Sequence, residues 1–152
     1  MVHAISVPAS GLCVFVPGSP AAQGSKAYKG HRVNRRTGRS VAVLTEQSKA
    51  VGPWRDLVAA TARSAWGVAP LLDVPLSVAA VFVLPRPVRT PKNRTPAAVK
   101  QHHDLDKMLR AIFDALTGAV IRDDCLIVEV RATKRLAEVG EAPGCWIRVG
   151  AA

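Results

Sequence analysis

At 152 residues, 49% apolar and with a net charge of +10, the chain has the size of one domain and the polarity of an ordinary globular protein. A domain of this length buries roughly two-thirds of its unfolded surface. The longest apolar run, Val78 to Leu84, is far short of the roughly 20 residues a bilayer-spanning helix needs, which excludes a membrane role through such a helix.

In chain order, Leu12-Cys13-Val14-Phe15-Val16 reads as a first strand, stopped by Pro17-Gly18-Ser19-Pro20. A glycine-punctuated basic loop follows through Gly38, with room for a short hairpin. Pro53 then opens a helix at a favoured first-turn position. Trp54, Leu57, Val58, Ala62, Ala65 and Trp66 supply its apolar stripe, and Gly67 ends it. Leu76 to Leu84 is too continuously apolar for a half-exposed strand, so it reads as a central strand covered on both faces. Residues 86–103 form a proline-rich, basic connection expected to be mobile without a partner.

The next helix carries the clearest pattern. Leu105, Met108, Leu109, Ile112, Phe113 and Leu116 follow i, i+3, i+4 spacing, and Gly118 is placed to cap the end. Behind it, Leu126, Val128, Val130 and Ala132 alternate with Ile127, Glu129, Arg131 and Thr133, which predicts a strand. Cys145 to Val149 makes a last one. Strands and helices interleave, so the expected fold is α/β in the mixed α+β sense: one small domain over 1–152, a mixed sheet packed against helices.

The charge is unevenly spread. Residues 1–103 carry 14 Lys and Arg against three acids, whereas residues 104–152 carry 7 against 8. With a pI near 10.4, a polyanionic partner is expected, because counterion release drives Lys/Arg-rich surfaces onto phosphate. Two acid-free runs are candidate DNA-binding loops. One holds Lys26, Lys29, Arg32, Arg35, Arg36 and Arg39, and the other Arg86, Arg89, Lys92, Arg94 and Lys100. Aromatic content of 5% argues against single-strand binding by base stacking. Cys13, Cys125 and Cys145 are widely spaced and lack a Cys-x-x-Cys pair, so they read as small apolar residues in a reducing compartment. No basic leader precedes the apolar N-terminal stretch, and a cytoplasmic protein is expected.

Five of the seven aspartates fall between 104 and 124. Clustered carboxylates are hard oxygen ligands suited to Mg²⁺ or Mn²⁺. On a helix, Asp104 and Asp106 would point about 200° apart. In an extended segment they would share a side, with Asp106 as the helix N-cap. Asp123-Asp124 could join them only if the following strand brings its start back to the helix start. Plainer readings are open for each group: a helix cap for Asp104 or Asp106, turn residues for Asp123-Asp124, a solvent-facing ion pair for Asp114, and a solvated loop for His102 and His103.

The run from Asp104-Leu105-Asp106 through Asp114-Ala115-Leu116-Thr117-Gly118 to Asp123-Asp124, with its strand ending at Lys134, resembles the signature of RusA-type Holliday junction resolvases, small endonucleases often carried by phages and prophages. The similarity extends to the strand 12–16 before Gly18-Ser19-Pro20, a Gly24-Ser25-Lys26 loop, the Trp54-Arg55 helix, and Phe82 leading to Pro85-Arg86-Pro87. The resemblance implies a homodimer that needs Mg²⁺ and no small-molecule cofactor, and that resolves four-way DNA junctions by paired symmetrical nicks in recombination and repair. It carries metal-ligand roles onto Asp104, Asp106 and Asp124, with Asp123 the second choice within the doublet. Where the family commonly has a functional lysine, this chain has Arg110, which neutralises phosphate charge but gives up no proton. Lys107 lies three residues earlier, so Lys107 and Arg110 are expected to share the work. Two other readings remain, a nuclease for flapped or otherwise branched DNA and a non-catalytic DNA-binding protein.

Overall fold

The computed structural model describes residues 11–24, 26–46, 48–99 and 103–152, apart from the side chains of residues 26, 27 and 44–46. Ser25, Lys100, His102 and the side chain of Lys26, all named above, lie outside the described residues.

The apolar runs become strands of one four-stranded sheet in the order β1-β6-β4-β5, formed by β1 (Leu12–Pro17), β4 (Leu76–Leu84), β5 (Ile127–Leu136) and β6 (Gly144–Ala151). β6 runs antiparallel to both β1 and β4, while β4 and β5 are parallel. Parallel neighbours need a crossover. Here the chain between them carries α2 (Leu105–Leu116), which packs beside α1 (Val51–Trp66). The sheet is therefore mixed, as the interleaved pattern predicts. Between β1 and α1, β2 (Lys26–Val33) and β3 (Ser40–Glu46) pair as a separate antiparallel ribbon.

Both helices lie on one face of the sheet. Leu12 and Val16 of β1, Leu76, Val78, Ala80, Phe82 and Leu84 of β4, and Cys145, Ile147 and Val149 of β6 face them. They close one core with Val51, Trp54, Val58 and Ala62 of α1 and Met108, Ile112 and Leu116 of α2. The expectation that β4 is covered on both faces holds only near its end: Val83 is fully buried, but Ser77, Ala79 and Val81 are half-buried on that other side, where Trp146 is 45% exposed and packs against Phe15 with ring centroids 4.9 Å apart. Lateral neighbours within the sheet shelter that side, and a run of apolar residues cannot tell this from a covering layer. At Gly144, which pairs with Pro17, an added Cβ would meet the Val16 carbonyl and the Phe15 ring, so only glycine lets β1 and β6 approach this closely.

The start of the first helix shifts. α1 begins at Val51, two residues before Pro53, whose missing N–H falls among the unpaired donors of the first turn. Its buried stripe is Val51, Trp54, Val58 and Ala62, leaving Leu57 and Ala65 exposed. Gly67 (φ +73°) and Gly118 (φ +78°) follow the two helices as expected, in left-handed backbone that favours glycine.

β5 departs from strict alternation. Its pairing with β4 slips by one residue at Val128, so Ile127 pairs with Leu76 but Glu129 with Ser77. After this bulge Val130, Ala132, Lys134 and Leu136 face the helices, while Glu129, Arg131, Thr133 and Arg135 face away. The shared face predicted for Leu126, Val128, Val130 and Ala132 is broken at that point, and Val128 is 66% exposed.

Candidate active site

The acids sit at the two ends of α2. Asp104 is the N-cap residue, with extended backbone (φ −66°, ψ 133°), and Asp106 is in the first helical turn. The cap is thus Asp104, one of the two candidates, and the extended 104–106 segment capped by Asp106 is not formed. Asp104 makes no side-chain cap hydrogen bond. Its Oδ2 instead lies 2.8 Å from Lys107 Nζ, and this hydrogen-bonded ion pair holds the Asp104 carboxyl below its ordinary value and raises the Lys107 ammonium. The Asp106 carboxylate acts on the same ammonium, and Arg110, one turn along, opposes it.

Lys134 joins this group from the strand below. Its Nζ donates to the His103 carbonyl at 2.8 Å, and its charge helps to keep Asp104 ionised. Composition gives no sign of this role. The strand parity that turns Lys134 toward α2 is set by the bulge at Val128, and that bulge is invisible in the spacing. A cleft beside the helix start is lined by Ser19, Pro20, Ala21, Ala22, Gly24, Ser48, Ala50, His103 and Lys107. The Gln23 N–H fastens that segment to the Lys107 carbonyl at 3.1 Å.

At the other end of α2 the chain turns through Thr117 to Arg122. The N–H groups of Ala119, Val120 and Ile121 all point at the Leu116 carbonyl, and Arg122 N donates to Leu72 O. Asp123 then caps a single 3-10 turn (Asp124–Leu126), accepting from Cys125 N at 2.9 Å, which lowers its carboxyl. The Cys125 thiol is pushed up, first by its hydrogen bond to Asp123 and then by desolvation and the charge of both acids. All three cysteines are free, and burial pushes Cys145 up to about 12.

The topology decides which acids meet. β5 does run alongside α2, but antiparallel to it, so the strand brings its far end, Lys134, to the helix start. Asp124, at the strand's beginning, stays at the helix end. Twelve helical residues at 1.5 Å each separate the two acid sets by about 18 Å. Oxygen ligands of Mg²⁺ lie about 2 Å from the ion. Within one chain, Asp104 and Asp106 therefore do not share an ion with Asp124. Among the described residues no three His, Cys, Asp or Glu side chains gather at metal-binding distances.

Asp114 is structural. It pairs with Arg55 of α1 at 3.4 Å rather than with Arg110, while Arg63 of α1 donates to the Ala119 carbonyl at 3.0 Å. These contacts fix α1 against the end of α2.

The two basic runs have different characters. In the ribbon, Lys29, Arg32, Arg35, Arg36 and Arg39 are all exposed. Asn34 shapes the tip, its Oδ1 accepting from the N–H groups of Arg36 and Thr37. In the second run, Arg86 is turned inward. Its guanidinium donates to Thr95 Oγ1 at 2.9 Å and to the carbonyls of Ala137, Pro91 and Arg94 at 3.1, 2.5 and 2.8 Å. It fastens the loop, leaving Arg89, Lys92 and Arg94 as the exposed cations there among the described residues. No described helix is long and apolar enough to cross a membrane.

The helix that bears the acids thus belongs to a small mixed-sheet domain that also presents exposed cations, the charge that favours a polyanionic partner. The model of the endodeoxyribonuclease RusA family matches residues 17–149. The chain belongs to this family of nucleases, as the motif around Asp104 implies. A search of curated proteins finds no match.

Proposed function

We propose that the protein is a structure-selective DNA endonuclease that resolves four-way junctions by paired symmetrical nicks, as a homodimer requiring Mg²⁺ or Mn²⁺, in recombination and repair. The observation that carries this reading is the cation-and-acid group at the start of α2: Asp104 and Asp106 with Lys107, Arg110 and Lys134, in a chain of the RusA family. Acids beside a phosphate backbone weaken its binding unless a cation offsets them, so a mere DNA binder gains nothing from them. Lys107, Arg110 and Lys134 supply positive charge where a scissile phosphate would sit. Arg110 serves as a fixed charge, since a guanidinium does not release its proton near neutral pH. Two copies suit a two-fold junction that needs two coordinated cuts. On this reading Lys29, Arg32, Arg35 and Arg36 of the ribbon and Arg89, Lys92 and Arg94 of the 85–99 loop hold the DNA arms.

The test is a synthetic four-way junction with and without Mg²⁺, with Asp106→Asn as the control. Symmetric nicks that vanish with EDTA and with the variant are expected. Cutting confined to flapped DNA would replace the junction by another branched substrate, and retardation without cutting would make the protein a binder. Lys107→Ala and Arg110→Ala should each slow cutting by about 10²-fold or more, the scale of removing one electrostatic interaction with the transition state. Unchanged rates in both would remove these side chains from the mechanism.

A further inference from the structure

Low aromatic content argues against base stacking, but the fold sets two of the few aromatic side chains together on the sheet face turned away from both helices. Pairing fixes the layout of that face. Phe15, Trp146, Val81 and Thr133 are lateral neighbours across β1, β6, β4 and β5. Cys13, Arg148, Ala79 and Arg131 form the next row on the same side, about 7 Å along the strands. Trp146 is exposed, and Phe15 lies half-buried against it. The Phe15 ring lies over Gly144, where any Cβ would strike it, so the ring is held down on the sheet. Arg131 is exposed and Arg148 half-buried. They stand on either side of Ala79, about 10 Å apart at the backbone. Among the described residues neither forms an ion pair or a side-chain hydrogen bond, whereas Arg135, further along β5, is held by Glu141.

We propose that this open sheet face binds an unpaired DNA strand, with bases stacked on Trp146 and Phe15 and phosphates held by Arg131 and Arg148. Every base has a π-face, so aromatic rings beside cations suit a single strand whatever its sequence. A duplex keeps its base faces stacked inside and cannot use the aromatic pair. An apolar protein partner would strip water from the two arginines without pairing them, which is costly, whereas a phosphate chain pairs both. Ala79 leaves the space between the arginines open. Glu129, one row beyond Arg131, closes the strip, since its carboxylate repels phosphate. The bound segment therefore extends from the arginine row to the aromatic row. None of these residues belongs to the acid group at the start of α2, so the inference stands apart from the cutting reaction.

The experiment measures binding of a labelled thymidine oligonucleotide, and of a duplex of the same length, to the full chain by fluorescence anisotropy in EDTA, which withholds divalent metal. Trp146→Ala should weaken oligonucleotide binding by roughly 5- to 100-fold, the scale of one base stacked on one ring, and leave duplex binding unchanged. Trp146→Phe should restore most of the loss. Arg131→Ala combined with Arg148→Ala should weaken the oligonucleotide more than the duplex. Equal losses on both ligands, or no loss in either variant, would overturn the proposal. A second measurement needs no variant: light-induced crosslinking of a bromodeoxyuridine oligonucleotide to the native protein, mapped by mass spectrometry. Crosslinks at Phe15 or Trp146 are expected. Crosslinks confined to the β2–β3 ribbon or the 85–99 loop would refute the site. So would an oligomer that Trp146→Ala disperses with no loss of oligonucleotide binding, since a second copy of the chain would then occupy the face.

Discussion

The sheet-and-helix body and the β2–β3 ribbon use the chain in opposite ways. In the body, alternate residues of β1, β4 and β6 meet the buried stripes of both helices, and cations serve as internal fastenings: Arg86 for its loop, Arg63 for the end of α2, Arg55 for Asp114. In the ribbon, two strands pair only with each other among the described residues, and the described cations all face solvent. A lone two-stranded hairpin is marginally stable in water. On the proposed function, stability and polyanion affinity are carried by different segments, and substitutions should separate them.

The largest effect belongs to the body. Phe82→Ala, at a fully buried position of the central strand, should lower unfolding stability by about 3–5 kcal/mol, measured by denaturant titration. A decrease below about 1 kcal/mol would mean the core collapses around the gap and the body is softer than its packing indicates.

A smaller effect concerns the connection between β5 and β6. Glu141 takes two hydrogen bonds at 2.6 Å from Arg135 and a third from the Glu138 N–H, and the Arg135 interaction leads in lowering its carboxyl to about 2. A depressed folded value means the ionised form stabilises the native state above pH 4.5. That contribution fades as the pH falls from 4.5 toward 2. Native protein should lose stability over this window more steeply than Glu141→Gln, and parallel curves would show that the ion pair contributes nothing.

The smallest stability effect should come from the ribbon. Joint replacement of Arg32, Arg35 and Arg36 by Ala should leave the unfolding free energy within about 0.5 kcal/mol per site. The slope of log affinity against log salt for duplex DNA should become shallower by about 0.9 for each phosphate no longer neutralised. An unchanged slope would take the ribbon out of the DNA interface and dissolve the division of labour.

How much of this is legible in the sequence follows from which signals are local. The stripe of α2 from Leu105 to Leu116 and its closing Gly118 are written in i, i+3, i+4 spacing, and the structure matches them. β4 is recognisable as a strand, but the half-exposure of Ser77, Ala79 and Val81 is not, because lateral shelter by Phe15 and Trp146 leaves no mark in the β4 sequence. The acid set is visible through residue type and family resemblance, while its division between two ends of a helix is a property of topology. Lys134 is visible as the end of the motif, but the face it takes is hidden because its direction depends on one inserted residue. Arg86 looks like its basic neighbours, and only the carbonyls folded around it distinguish it from them.

That inserted residue, Val128, acts as a phase step along β5. Ile127 and Glu129, two apart, point to opposite sides of the sheet, so the strand's beginning and its remainder are set half a period out of step. A chain one residue shorter here would keep its composition and its pairing beyond Glu129. It would, however, rotate the segment that delivers the aspartate doublet relative to the lysine ten positions on, and so redirect one pole of the molecule without disturbing the other.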